Sequence, residues 1–187
     1  ESIAAAKRQS DDSLYVPSLL RPQSSTDATG AIEVASVSEA ARRMRFRPMV
    51  PTDGTMKAQD VLLAGETADN LGLVVEYGGI RIVQWPHSSQ AEAQADVQRN
   101  AIPAMGFDDR FMRAVRVRGF EGIAWDAIDV DSVCKPNGEL VRAGVSVPYS
   151  GVIWSEGSIV YRVMGYSGTP DSKQLLAIAE SMKPLEQ

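Results

Sequence analysis

Chemistry in a polypeptide starts with groups that take a proton, attack an electrophile or hold a metal, and this chain offers few of them. It has one histidine, His87, and one cysteine, Cys134. A single imidazole without clustered ligands argues against a transition-metal site, and any histidine-based triad would have to use His87 itself. In Trp85-Pro86-His87 it follows an alternating run, so an exposed loop is its expected place. Lys135 beside Cys134 favours a thiolate, but nucleophilic attack also needs a positioned base. A lone cysteine excludes an internal disulfide. No G-x-S-x-G elbow accompanies the many serines. The acidic candidates are Asp108, Asp109, Asp126, Asp129 and Asp131. If extended, the last two share a face, where paired carboxylates raise a pKa or bind a hard cation. The calcium-loop pattern is missing, and solvated loop acids are the expected reading. Neither a catalytic residue nor a cofactor or metal is expected.

Arginines form a more persuasive cluster. Arg42, Arg43, Arg45 and Arg47 are close in sequence, and Arg113, Arg116 and Arg118 lie in the alternating run RAVRVR. Strand parity places Arg116 and Arg118 on one face and Arg113 on the other. Solvated faces account for most such runs; the rival is an acidic protein partner or lipid headgroups. Arg42, Arg43, Arg45, Arg116 and Arg118 are therefore candidate partner contacts. The whole chain carries 19 basic and 24 acidic residues, a net charge of -5, so no global field attracts a polyanion and nucleic acid is not an expected partner. Trp85, Trp125 and Trp154 fall in strand-like runs and should pack on sheet faces, or line a groove if two share a concave one.

Those side chains need a scaffold, and its pattern is legible. At 187 residues and 44% hydrophobic the chain can fill one core. Ser36 and Glu39 have capping-box spacing, and Val37, Ala40, Ala41 and Met44 recur at helical spacing, predicting a helix that ends near Phe46. Pro48 and Pro51 then force an extended stretch, and Asp53-Gly54 supplies a turn. Strands are predicted at Gln59 to Leu63, Leu71 to Tyr77 and Ile80 to Trp85. Gly78-Gly79 separates the last two with two-residue hairpin spacing, a corner that needs positive φ, rather than a phosphate loop leading into a helix. A polar helix over 88 to 102 follows, with Ala91, Ala95 and Gln98 on one side. Further strands are predicted at Arg113 to Arg118, Glu121 to Ala127, Leu140 to Val147, Val152 to Trp154 and Ile159 to Met164, with a corner at Asn137-Gly138. The last helix has Thr169 as its N-cap, Pro170 in its first position, and a buried stripe of Leu175, Ile178, Ala179 and Met182, and Pro184 ends it.

Residues 1 to 33 have another composition, rich in Ser, Asp, Gln and Thr, and read as an extended arm or linker ahead of a single domain over 34 to 187. Within the arm, Leu14, Tyr15, Val16, Leu19 and Leu20 surround Pro17 and read as a short anchor that docks on a surface. No apolar window approaches the ~20 residues needed to span a bilayer. The chain starts at Glu1, so an upstream piece is expected to have been removed, either a signal peptide or membrane anchor, or a boundary chosen for expression.

The segments EAARRMRFRPMVP, YGGIRIVQ, RVRGFEG and VIWSEGSIVYRVMG, with the helix DSKQLLAIAESM, resemble an uncharacterised domain family found outside the cytoplasm in bacterial anti-sigma-factor-like membrane proteins and lipoproteins. The resemblance covers roughly residues 34 to 183. It implies an α+β fold, a curved antiparallel sheet with N- and C-terminal helices packed against it, and an extracytoplasmic place in which the arm leads back to a membrane anchor. The resulting expectation is a non-enzymatic binding or sensory domain with a protein partner. The alternative is an accessory structural subunit of a membrane-associated complex held by its arm. Whether a small molecule also binds is left open.

Overall fold

The computed structural model describes residues 31–65, 70–100, 112–130, 133–142, 145–166 and 170–186. The arm residues Leu14, Tyr15, Val16, Leu19 and Leu20 lie outside these, as do Asp108, Asp109, Asp131 and Thr169. Among the described residues the chain forms three helices: α1 (Val37–Ala41), α2 (Gln90–Asn100) and α3 (Ser172–Ser181). Its principal strands are β1 (Ile32–Glu33), β2 (Met49–Val50), β3 (Asp60–Ala64), β4 (Gly72–Glu76), β5 (Ile80–Pro86), β6 (Met112–Val117) and β7 (Phe120–Trp125). They continue with β8 (Ile128–Val130), β9 (Val133–Cys134), β10 (Leu140–Arg142), β11 (Val145–Val147), β12 (Tyr149–Glu156), β13 (Ile159–Tyr166) and β14 (Lys183–Pro184).

Eight strands make one antiparallel sheet in the order β1-β3-β4-β5-β13-β12-β7-β6, so the fold is α+β and mostly sheet. The predicted hairpins are all present. Gly78 and Gly79 take φ of +59° and +94°, and Tyr77 and Ile80 close the corner with reciprocal backbone hydrogen bonds. The predicted Leu140 to Val147 strand is instead two: β10 pairs with β9, and β11 with β8. Ile32 and Glu33 pair with Leu63 and Leu62, so the folded unit takes in two residues that composition assigns to the arm.

Each face of the sheet carries a core. Leu63, Leu73, Val75, Ile82, Val152, Trp154 and Val163 face α1 and α3, where Val37, Ala40, Leu175, Ala179 and Met182 meet them. On the other face Val83, Ile153, Val160 and Met164 meet Ala93 and Val97 of α2. Burying each of these larger aliphatic side chains contributes about 1.5–3 kcal/mol. The face of α2 that packs is therefore Ala93 and Val97, while Ala91, Ala95 and Gln98 are exposed. Alanine spacing alone does not choose between these stripes, because alanine is tolerated on either side.

Helix ends also depart from pattern. Ser36 Oγ accepts from Glu39 N as predicted, and Glu39 Oε2 accepts from Ala35 N. Yet α1 stops at Ala41 instead of near Phe46. Arg42 N and Arg43 N close its last turn on Glu39 O and Ala40 O, and further on buried Gln84 accepts from Met49 N at 2.8 Å and donates to Met49 O at 2.7 Å, which holds the Met49 peptide extended across the core. For α3 the N-cap is Asp171 instead of Thr169, with a full capping box to Gln174. Lys183–Pro184 then pairs with Met49–Val50.

All three tryptophans lie against a glycine across the ladder. Trp125 pairs with Gly151 and Trp154 with Gly122, and the Leu73–Gln84 register sets Gly72 beside Trp85. A Cβ added at Gly72 or Gly151 would stand 2.2 Å from an indole carbon, whereas one at Gly54 would meet nothing within 4 Å. Gly151→Ala is thus expected to cost about 1–3 kcal/mol by overpacking, with Gly54→Ala near neutral, as read from thermal unfolding by circular dichroism. Gln84→Met keeps the volume but strands both Met49 backbone groups. It should cost roughly 2–4 kcal/mol and selectively speed hydrogen exchange at the Met49 amide; unchanged exchange there would refute the clamp.

Candidate functional site

The two sheet faces are covered unequally. Helix α3 packs on β13, β12, β7 and β6, whereas α2 packs on β12 and β13. Beyond the flank of α2, strands β7 and β6 project and leave an open cleft of about 670 Å³. Its walls are Val97 and Gln98 of α2, Met112 to Arg116 of β6, and Glu121 to Ile123 of β7.

The arginines divide sharply here. Arg116 is exposed in the cleft wall. Arg113 donates to Ser172 Oγ at 2.8 Å on the α3 side. Arg118 takes φ of +53° in the β6–β7 corner, which turns it out of strand parity. Its N–H donates to Glu180 Oε1, its Nε to Glu156 Oε1 at 2.9 Å, and its Nη1 to Met182 O. Glu156 in turn accepts from Trp154 Nε1. Arg118 is therefore a brace between the hairpin and the end of α3, and the expectation that it shares a face with Arg116 is overturned by the left-handed corner.

The other predicted group does not join them. Arg42 caps α1, and Arg43 pairs with Glu39 at 2.7 Å; both are exposed, as is Arg45. Helix α1 rests on β3, near the opposite edge of the sheet from β6. Arg47 donates to Leu185 O.

Behind the cleft, α2 is tied down by charge. Arg162, 8% exposed, donates to Asp96 Oδ2 at 3.0 Å. Burial lowers the Arg162 pKa, and Asp96 opposes that shift. His87 Nε2 stands 3.4 Å from the same oxygen, in a buried position without a hydrogen bond. The single histidine is consequently partly buried under α2 instead of on an exposed loop, because His87 N donates to Ser158 O and draws the end of β5 against the β12–β13 corner. Arg162 and Gln84 escape a search for catalytic patterns, yet both leave a signal: each is a polar residue at a position whose strand parity is apolar.

An aromatic row continues along this face. Trp125 meets Tyr149 edge-on at 6.3 Å, Tyr149 meets Tyr166 at 6.4 Å, and the Arg81 guanidinium sits 5.2 Å over Tyr166 while pairing with Glu76. Burial pushes the Tyr166 phenol up to about 12, with Arg81 acting the other way. Trp154 stacks on Tyr161 on the opposite face.

The other acidic and thiol candidates stay apart. Cys134 and Asp129 are exposed, and no group of three or more His, Cys, Asp or Glu able to hold a metal occurs among the described residues. Asp126 serves the fold, since its Oδ1 accepts from Ser172 N at 2.7 Å and so caps α3 from the end of β7. Burial raises its pKa, but the Ser172 hydrogen bonds and Arg113 outweigh it, leaving the carboxyl below its ordinary value. No match was found for this chain among protein-family models, curated proteins or solved structures.

A carboxyl whose folded pKa lies below its unfolded one adds stability that is complete above the unfolded value, about 3.9, and is lost as pH falls through the folded one. Asp126→Ala is expected to unfold at a lower temperature than the wild type at neutral pH, and the gap should narrow on acidification below that value. A gap that stays constant with pH would show that the carboxylate charge is immaterial.

Proposed function

We propose that this chain is a non-enzymatic binding domain that works outside the cytoplasm, tethered through its N-terminal side to a membrane, and that a protein partner seats in the cleft beside β6. The observation that carries this reading is the edge left open among the described residues: α2 packs on β12 and β13, and the exposed Arg116 stands in the cleft wall formed with β6 and β7. Two further points support it. The chain enters the sheet through β1, at the far edge from β6. Measured along the sheet, seven strand spacings of roughly 4.8 Å put those edges up to about 34 Å apart, so a tether at β1 does not crowd the β6 edge. The resemblance of residues 34 to 183 to domains of anti-sigma-factor-like membrane proteins and lipoproteins points to the same place and kind of work.

A photo-crosslinking amino acid at Ala114, inside the cleft, is expected to capture a discrete protein adduct in the native host. The same residue at Ser38 on α1 should not. Protease added to spheroplasts should digest the domain. Equal labelling from both positions would remove the cleft from consideration, and a domain protected from the protease until the membrane is broken would remove the extracytoplasmic assignment.

A further inference from the structure

We infer that β6 is a strand-addition site that accepts an extended, acidic segment of a partner protein. The inference rests on the binding-domain reading and supplies the chemistry of that partner.

The sheet ends unequally. One edge finishes in β1, two residues long; the other finishes in β6, which has six residues and pairs only with β7 among the described strands. A two-residue corner at Arg118-Gly119, with φ of +53° and +90°, closes the β6–β7 hairpin at the Val117–Phe120 pair. Hydrogen-bonded and open pairs alternate along an antiparallel ladder, so the peptide groups of Val117, Val115 and Arg113 bond to β7. Those of Met112, Ala114 and Arg116 then face outwards. Among the described residues nothing pairs with this row, about 20 Å long, and such a row is a template for another strand.

Side chains choose which strand. Met112, Ala114 and Arg116 share one face by parity, and that face borders the cleft with Val97 of α2. An added strand would lay alternate side chains there: apolar ones beside Met112, Ala114 and Val97, and a charged one beside Arg116. Arg43, Arg81, Arg118 and Arg162 each hold a carboxylate within 3.0 Å. Arg116 has no ion pair or hydrogen bond among the described residues, although Glu121 lies across from it in register. A guanidinium kept unpaired on an edge strand favours a carboxylate on the incoming strand and disfavours like-charged ones.

The test uses the whole 187-residue chain, labelled with 15N. It is titrated with two acetylated hexapeptides, one alternating valine with glutamate and one alternating valine with lysine. Strand addition predicts shifts concentrated on Met112–Val117 and Gln98, slowed exchange at the Met112, Ala114 and Arg116 amides, and tighter binding of the glutamate peptide by roughly fivefold or more. Arg116→Glu should invert that preference without changing the fold. Indifference to peptide charge, or shifts away from β6, overturns the proposal. So do β6 amides already protected in the free chain, with sedimentation as a dimer then making a second copy the occupant. Failure with both peptides while Ala114 still crosslinks a partner discards strand addition and leaves the binding-domain reading standing; failure of both experiments discards the reading as well.

Discussion

An indole laid against a neighbouring strand needs a gap in the facing backbone, and this sheet meets that need twice. Gly72 and Gly151 leave room for the indoles of Trp85 and Trp125 on the face of α2, while a Cβ at Gly122 would meet Ile153 O and the Cβ of Trp154. The consequence is register. Because side chains alternate with a period of two, a slip of one residue would move each indole off its glycine and onto a side chain, besides turning both cores inside out. The β4–β5 and β7–β12 ladders are held in this way, and everything that stands on them inherits the alignment.

Given that alignment, a few polar groups decide where the helices and the short strands lie. Gln84 reaches out of the sheet to grip the Met49 peptide, which in turn allows β14 to follow α3 and pair alongside. Arg162 and Asp96 fix α2 on the opposite face, with His87 beside them. A buried ion pair is a weak source of net stability, since desolvation offsets most of the attraction, but removing either partner strands a charge. It therefore selects one seating of a helix whose alanine-rich surface is otherwise indifferent. Asp126 and Asp171 together cap α3, one from a distant strand and one from its own turn.

The uncovered edge follows from the same arrangement. Helix α3 packs on β13, β12, β7 and β6, and Arg118 braces its end to the hairpin through Glu156 and Met182. Helix α2, tied over β12 and β13, does not extend so far. The difference leaves β6 supported by α3 on one side and, among the described residues, without a helix on the other, an arrangement in which the outward peptide groups of an edge strand can meet another strand.

Local pattern by itself determined the hairpin at Gly78-Gly79, the alternation of most strands and the Ser36 cap, because each depends on neighbours within a few residues: positive φ at a tight corner, a period of two, a side chain reaching the next turn. Gln84 and Arg162 stand as polar residues at apolar parity, a local sign that does not contain what they hold. Tertiary structure alone decided the rest. The extended Met49 peptide after α1 is held by Gln84, 35 residues away; the packed face of α2 is tied down by Arg162; and the outward turn of Arg118 comes from a corner whose φ a parity count does not include. The separation of Arg42, Arg43 and Arg45 from Arg116 likewise depends on strand order, and strand order is a matter of which distant segments pair, a choice that no short window of residues contains.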